Sequence, residues 1–282
     1  MASSDHFVIY ADDSAKDLAK FAEMLERYHA AMAHVTNKSS AAPSPSNRVT
    51  IFAVGSVRDL QELAGGNSRY LQGFYLPRAG ASRAFVQDVR PNGRNPDGSL
   101  RVLLHEYAHH YLISTNSFAM PRWLSEGSAE FFASATFEDN GRVMIGRPAL
   151  HRGYELAYAD DVAVRELFDA GLYDAKKRTR YDAFYGRSWL LYHYLVFSEE
   201  RAGQFGQYWL QLIQGTPSLK AAELAFGDLD VLEKDLDKYL RSRRMTAFNI
   251  PGELLPIGKV TVSKLSEGKA AMMPVIIRSQ RG

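Results

Sequence analysis

One string in this 282-residue chain has both the residue types and the spacing of a metal site: His105-Glu106-Tyr107-Ala108-His109. On a helix, residues four apart lie about 40° apart on one face, one turn up. Two imidazoles so placed can converge on one ion at Zn–N distances of about 2.0–2.1 Å. Glu106 is rotated away from them and is set to reach a water at the ion rather than the ion itself. The chain has only 8 His, so the pattern is expected about 0.01 times by chance. That favours a metal over the bland alternative, two surface or core histidines on a helix. His110 points about 100° away from His109 and is expected outside the ligand set.

Zinc needs a third protein ligand and keeps a fourth position for water. Trp123-Leu124-Ser125-Glu126-Gly127 follows a short way downstream. Two antiparallel helices with a short connection would bring Glu126 back towards His105 and His109. The alternative is an exposed carboxylate near a helix N-terminus, stabilised by the dipole. Trp123, Leu124, Phe131 and Phe132 argue for burial, and a buried carboxylate needs a partner, a cation above all.

With HEYAHH followed by WLSEGSAEFF, the chain resembles the gluzincin metallopeptidases. It is distantly similar to the aminopeptidase-N-type enzymes and more similar to the bacterial peptidase MA-like families. The motifs cover residues 105–132, with weaker likeness through the preceding strands and on to about residue 200. The resemblance implies an α+β, thermolysin-like fold, a strand-rich N-terminal part against a mainly helical C-terminal part with the active-site cleft between them. It implies one Zn²⁺ on His105, His109 and Glu126, with Glu106 as the base. It implies that Glu130, four residues past Glu126, receives the free N–H of His105, a solvated outer-face Glu being the alternative. An oxyanion donor is expected from a tyrosine after the glutamate helix: Tyr185 in YGRS fits, Tyr181 is second, and His193 is a donor only if it is not a packed helix histidine. An edge strand just before the H-E-x-x-H helix would pair with extended peptide, and residues 82–87 are the candidate. The aminopeptidase signature G-x-M-E-N is absent, GASRAFVQD standing in its place, which speaks against aminopeptidase activity.

The elements that must position these groups follow from periodicity. Residues 6–11 and 48–54 read as strands, the second central, and 70–76 and 82–87 as two more. Residues 14–35 have helical apolar spacing, and 57–64 a short helix ended by Gly65-Gly66. A Ser/Pro-rich loop spans 36–47 and a turn-rich linker 90–99. Helices are expected at 100–114, capped by Asp97 or Ser99, and at 121–137, opening on Pro121. Further helices follow at 164–170, 181–197, 204–214, 218–226 and 228–242. Strands are expected at 141–145 and 259–263. The division predicted is an α/β part at 1–98, a helical part at 99–245, and a tail with short strands at 246–282.

Composition closes off other classes. With 46% hydrophobic and 23% charged residues, the chain is neither disordered, collagenous nor coiled coil. A net charge of +2 and one short cluster, Lys176-Lys177-Arg178, give no nucleic-acid footprint. Without Cys there is no disulfide scaffold, thiolate zinc finger or cysteine nucleophile. No stretch approaches the ~18 apolar residues of a membrane span.

The N-terminus lacks the basic and apolar regions of a signal peptide. The chain enters a strand within ten residues and ends as abruptly. A piece of a longer protein is therefore expected, with any export signal and any downstream domain removed; the resemblance to peptidase MA-like families implies that such a domain could be a helical repeat such as a tetratricopeptide array. The compartment stays open, extracytoplasmic if such a signal existed. The functional expectation is zinc-dependent hydrolysis of peptide bonds in a peptide or protein substrate. Its alternatives are a non-catalytic zinc-containing peptide-binding or scaffold domain, and a helical protein with an accidental motif.

Overall fold

The computed structural model describes residues 1–65, 73–77, 82–89, 96, 98–177 and 181–280. It is a mixed α+β chain whose contacts divide it into two compact units. One comprises Met1–Tyr107, Ala135–Ile145 and Phe248–Gly282, the other Ala108–Ser134 and Gly146–Ala247. The division at 98/99 expected from composition is therefore displaced into the H-E-x-x-H helix. The hairpin after residue 134 and the tail return to the first unit, because their strands pair there.

All named strands lie in the first unit. A six-stranded sheet runs β4 (Gly73–Leu76), β5 (Arg83–Val86), β3 (Val49–Ala53), β2 (Phe7–Tyr10), β1 (Ala2–Ser3), β9 (Thr261–Val262). Strands β2, β3 and β5 are parallel, and β4, β1 and β9 pair antiparallel. The central position expected for 48–54 is found in β3, whose Ile51 and Phe52 are both buried, as a strand covered on two faces requires.

The candidate edge strand is a correction. Residues 83–86 pair with β3 on one side and β4 on the other, so among the described strands the edge on that side of the sheet is β4. Of the strand expected at 70–76, residues 70–72 lie outside the described residues, as do Gly66, Asp97, Arg178 and most of the 90–99 linker.

Helix α1 (Ala15–Thr36) starts where the Ser14 side chain accepts from Asp17 N, and buries Leu18, Phe21, Ala22 and Leu25. It ends on Asn37 in the left-handed region at φ 52°, which Asn tolerates better than most residues. The short helix α2 (Val57–Leu63) is followed by Gly65 at φ +100°. Helix α3 (Gly98–Thr115) carries the H-E-x-x-H string. Ser99 does not cap it: the helix already includes Ser99, whose Oγ accepts from Gln87 N at 3.1 Å. A second sheet, β6 (Thr136–Phe137), β7 (Val143–Ile145), β8 (Phe248–Ile250), is antiparallel. The tail, expected as short strands, also holds a helix at Glu267–Gln280 with Pro274 inside it. It sets Met273, Ile276 and Ile277 against the cluster of Phe52, Leu60 and Phe85.

The second unit is helical. Helix α4 (Arg122–Ala133) follows Pro121 as its N-cap. It stops short of the expected 137 because Thr136 and Phe137 pair with β7 as a strand. It packs on α8 (Phe184–Phe197), where an added Cβ at Gly127 would lie 2.3 Å from the Ser188 carbonyl oxygen. Only a glycine permits this approach. Helix α8 starts three residues later than expected, leaving Tyr181 outside it. Helices at Gly153–Tyr158, Val164–Phe168, Ala170–Ala175, Gln204–Ile213, Ser218–Phe226 and Leu229–Leu240 complete the unit. Trp123, Phe168, Tyr208 and Phe226 form its aromatic core, with Trp123 Nε1 donating to the Tyr208 hydroxyl at 2.9 Å. No helix among the described residues is long and apolar enough to cross a membrane.

Candidate metal centre

Helix α3 is built to present one polar face. Leu103, Leu104, Tyr107, Ala108, Tyr111 and Leu112 are buried, the i, i+3/i+4 stripe of a helix packed on one side. This leaves His105, Glu106, His109 and His110 half-buried on the other face. The helix is fixed by polar contacts as well: the Tyr28 hydroxyl donates to the Leu104 carbonyl at 3.0 Å, and the Tyr107 hydroxyl bonds His29 Nδ1 at 2.8 Å.

The connection at 116–121 turns the chain back, and α4 brings Glu126 to the histidines. One ligand atom each from His105, His109 and Glu126 lies within 4.8 Å of the others, and all three residues are half-buried. His109 Nε2 stands 3.3 Å from Glu126 Oε2, with the two side chains 17% and 19% exposed. That exposure leaves the site open to an incoming molecule. The donor set fits a divalent ion: two imidazoles and one carboxylate, with a position left over. Among the described residues no other group of three potential ligands is found, and His110 is not in this one.

Ser125 was not visible as a functional residue. His109 Nδ1 is hydrogen-bonded to Ser125 Oγ at 3.0 Å; an ion on Nε2 would place the ring proton on Nδ1, with Ser125 Oγ as its acceptor. Such a bond fixes the tautomer and ring orientation of a metal-ligating histidine. The only signal was its place beside Glu126 in WLSEG.

Glu130 is 2% exposed. It accepts from His151 Nε2 at 2.6 Å and from Arg152 Nη2 at 2.5 Å. Arg152 also donates to Glu155 Oε2 at 3.0 Å, and its guanidinium lies 4.7 Å from the Tyr185 ring centroid. Burial works against the Arg152 charge, but the bonds to Glu130 and Glu155 outweigh it and raise its pKa. Glu130 is thus held in a buried charged network whose other members, His151 and Arg152, come from a segment that carried no motif.

Tyr185 is half-buried. Burial raises its hydroxyl pKa first, the charge of Glu126 adds to this, and Arg122 and Arg152 oppose it. Glu126 is therefore within electrostatic reach of the hydroxyl. Tyr181 is 47% exposed and feels Glu155, Tyr154 and Arg152 instead. His193 is a packed histidine, fully buried. Its Nε2 bonds the carbonyls of Gly146 and Thr246 at 2.8 and 3.1 Å, and its Nδ1 accepts from the Tyr239 hydroxyl at 2.7 Å. Both ring nitrogens are engaged, which removes His193 as an oxyanion donor.

Tyr75 on β4 was also missed. An added Cβ at Gly73 would lie 3.3 Å from Val102 Cγ1, so β4 faces α3 there. Tyr75, two residues on, shares that face, and Glu106 is one helical turn past Val102. Burial pushes the Tyr75 hydroxyl up to about 12, with the Glu106 charge adding to it and Ser82 opposing.

No protein-family model matches this chain, and no curated protein matches it.

Proposed function

We propose that this chain is a zinc metallopeptidase of the gluzincin type, hydrolysing peptide bonds in a peptide or protein substrate. The observation that carries the reading is the convergence of His105, His109 and Glu126 to within 4.8 Å, on two helices whose packing is fixed by residues unrelated to metal binding. The chance expectation for H-E-x-x-H alone does not account for a third ligand meeting it.

His105, His109 and Glu126 would hold the ion. When bound, it supplies Lewis acidity towards a carbonyl and lowers the pKa of a water. Glu106, next to His105 but outside the ligand set, takes a proton from the attacking water and passes it to the leaving amine. The Tyr185 hydroxyl donates to the oxyanion that develops on the carbonyl. Its raised pKa keeps it protonated at neutral pH. Ser125 holds the His109 ring, and Glu130 is assigned the free N–H of His105 besides its bonds to His151 and Arg152.

Metal analysis of the purified protein, with cleavage of a peptide library, tests this. Glu106→Gln keeps the metal and loses at least ~10²-fold in rate. Near-full activity in that variant contradicts the role of Glu106. Glu126→Ala loses metal, and unchanged zinc stoichiometry removes Glu126 from the site.

A further inference from the structure

Beside the start of α4 lies a cavity of about 560 Å³, lined entirely by residues of the second unit. Its walls include Phe118, Leu167, Phe168, Phe184 and Leu212, and Arg122 lines it with them. The exposed Arg122 guanidinium lies 4.0 Å from the Phe184 ring centroid and 5.3 Å from that of Tyr173. Its polar contacts are to the hydroxyls of Tyr173 and Tyr185. Among the described residues it makes no ion pair. A guanidinium has five N–H donors in a planar fork matched to a carboxylate, so most of its capacity is unspent.

The same cavity is lined by the starts of two helices, α4 after Pro121 and the helix Ser218–Phe226 after Pro217. Both have a proline N-cap with no side-chain cap bond. Neither cap offers a side-chain acceptor to the first-turn N–H groups, and both helices present the positive ends of their dipoles. Two carboxylates oppose this field. Glu166 is already bonded to Ala163 N at 2.8 Å and paired with Lys176 at 3.4 Å, and Asp174 is exposed at the cavity. They disfavour a dianion such as phosphate. What fits is one carboxylate carried on an apolar residue.

Arg122 is four residues before Glu126, on the same face of α4. It touches Tyr185, whose hydroxyl lies within reach of the Glu126 charge. We propose that Arg122 is the specificity-determining residue that receives the C-terminal carboxylate of a peptide, whose apolar last side chain fills the adjoining cavity. The inference rests on the metallopeptidase reading and makes this a site for free C-termini.

The probe is N-acetyl-alanyl-leucine as free acid and as C-terminal amide, titrated calorimetrically into the full chain. The titration is done with chelator present and again after zinc loading. The free acid is expected to bind ~10- to 100-fold tighter than the amide, the range of a charged hydrogen-bonded pair. Arg122→Gln should bring that ratio close to one, with Arg122→Lys intermediate. Equal binding of acid and amide by the unaltered chain overturns the proposal, as does no binding of the acid at millimolar concentration. So does a preference that survives Arg122→Gln. A preference seen in a protein that takes up no zinc would refute the metal reading and leave the carboxylate site standing.

Discussion

Gly127→Ala is the sharpest test of how the second unit positions Glu126. In an open helix this substitution would stabilise by about 1 kcal/mol, since Gly is a poor helix former. Here the new methyl would stand 2.3 Å from the Ser188 carbonyl oxygen and 2.7 Å from its carbonyl carbon, where ordinary contact begins at 3.4 Å. The obstacle is backbone, so no rotamer change relieves it, and α4 and α8 must separate by about 1 Å. Overpacking of this kind costs about 1–3 kcal/mol, which exceeds the propensity gain over most of that range. The net expectation is a loss of up to about 2 kcal/mol, a fall in Tm of up to about 8 °C for a chain of this size. Glu126 precedes Gly127 and moves with it, so metal affinity should fall along with stability. Differential scanning calorimetry and a competitive zinc titration read the two effects. A variant as stable as the parent, with unchanged zinc affinity, would refute the claim that this glycine sets the approach of the two helices.

Three further outcomes are expected. Ser125→Ala, which removes the hydrogen-bond partner of His109 Nδ1, should weaken zinc about 10-fold, with little change in Tm. A chelator competition that finds parental affinity removes Ser125 from the centre. Arg152→Ala removes the guanidinium bonded to the buried Glu130 carboxylate, leaving the bond from His151 in place, and breaking such a pair costs about 3–5 kcal/mol. Urea unfolding with an unchanged midpoint would count against that network. His193 has its pKa lowered by burial despite its bonds to Gly146 and Thr246. The folded chain therefore refuses a proton that the unfolded chain accepts below its ordinary value of 6.5. Stability should fall as pH drops below about 6.5, by at most ~1.4 kcal/mol per pH unit from this group. In Tm measured against pH, His193→Gln should lose that component, and an identical slope in both proteins would exclude it.

The H-E-x-x-H face was legible because helical geometry alone places residues four apart together. The return of Glu126 was legible as an expectation from a short connection. Strand β3 could likewise be read from local pattern. The edge position was not: β4 and β5 are both short and apolar, and which one ends the sheet depends on pairing across the chain. The same holds for the unit boundary, since nothing local in 135–145 or in the tail announces pairing with strands far away in sequence.

Local chemistry thus fixed two imidazoles on one helical face, with a neighbouring carboxylate rotated about 100° from the first, because a helix repeats within a few residues. Long-range packing alone decided the rest. It set the approach of α4 at Gly127, engaged both nitrogens of His193, and enclosed Glu130 with His151 and Arg152. It also left Arg122 beside an apolar cavity with no carboxylate paired to it among the described residues. Each of these depends on which surfaces exclude water together, and burial is a property of the folded chain rather than of any segment.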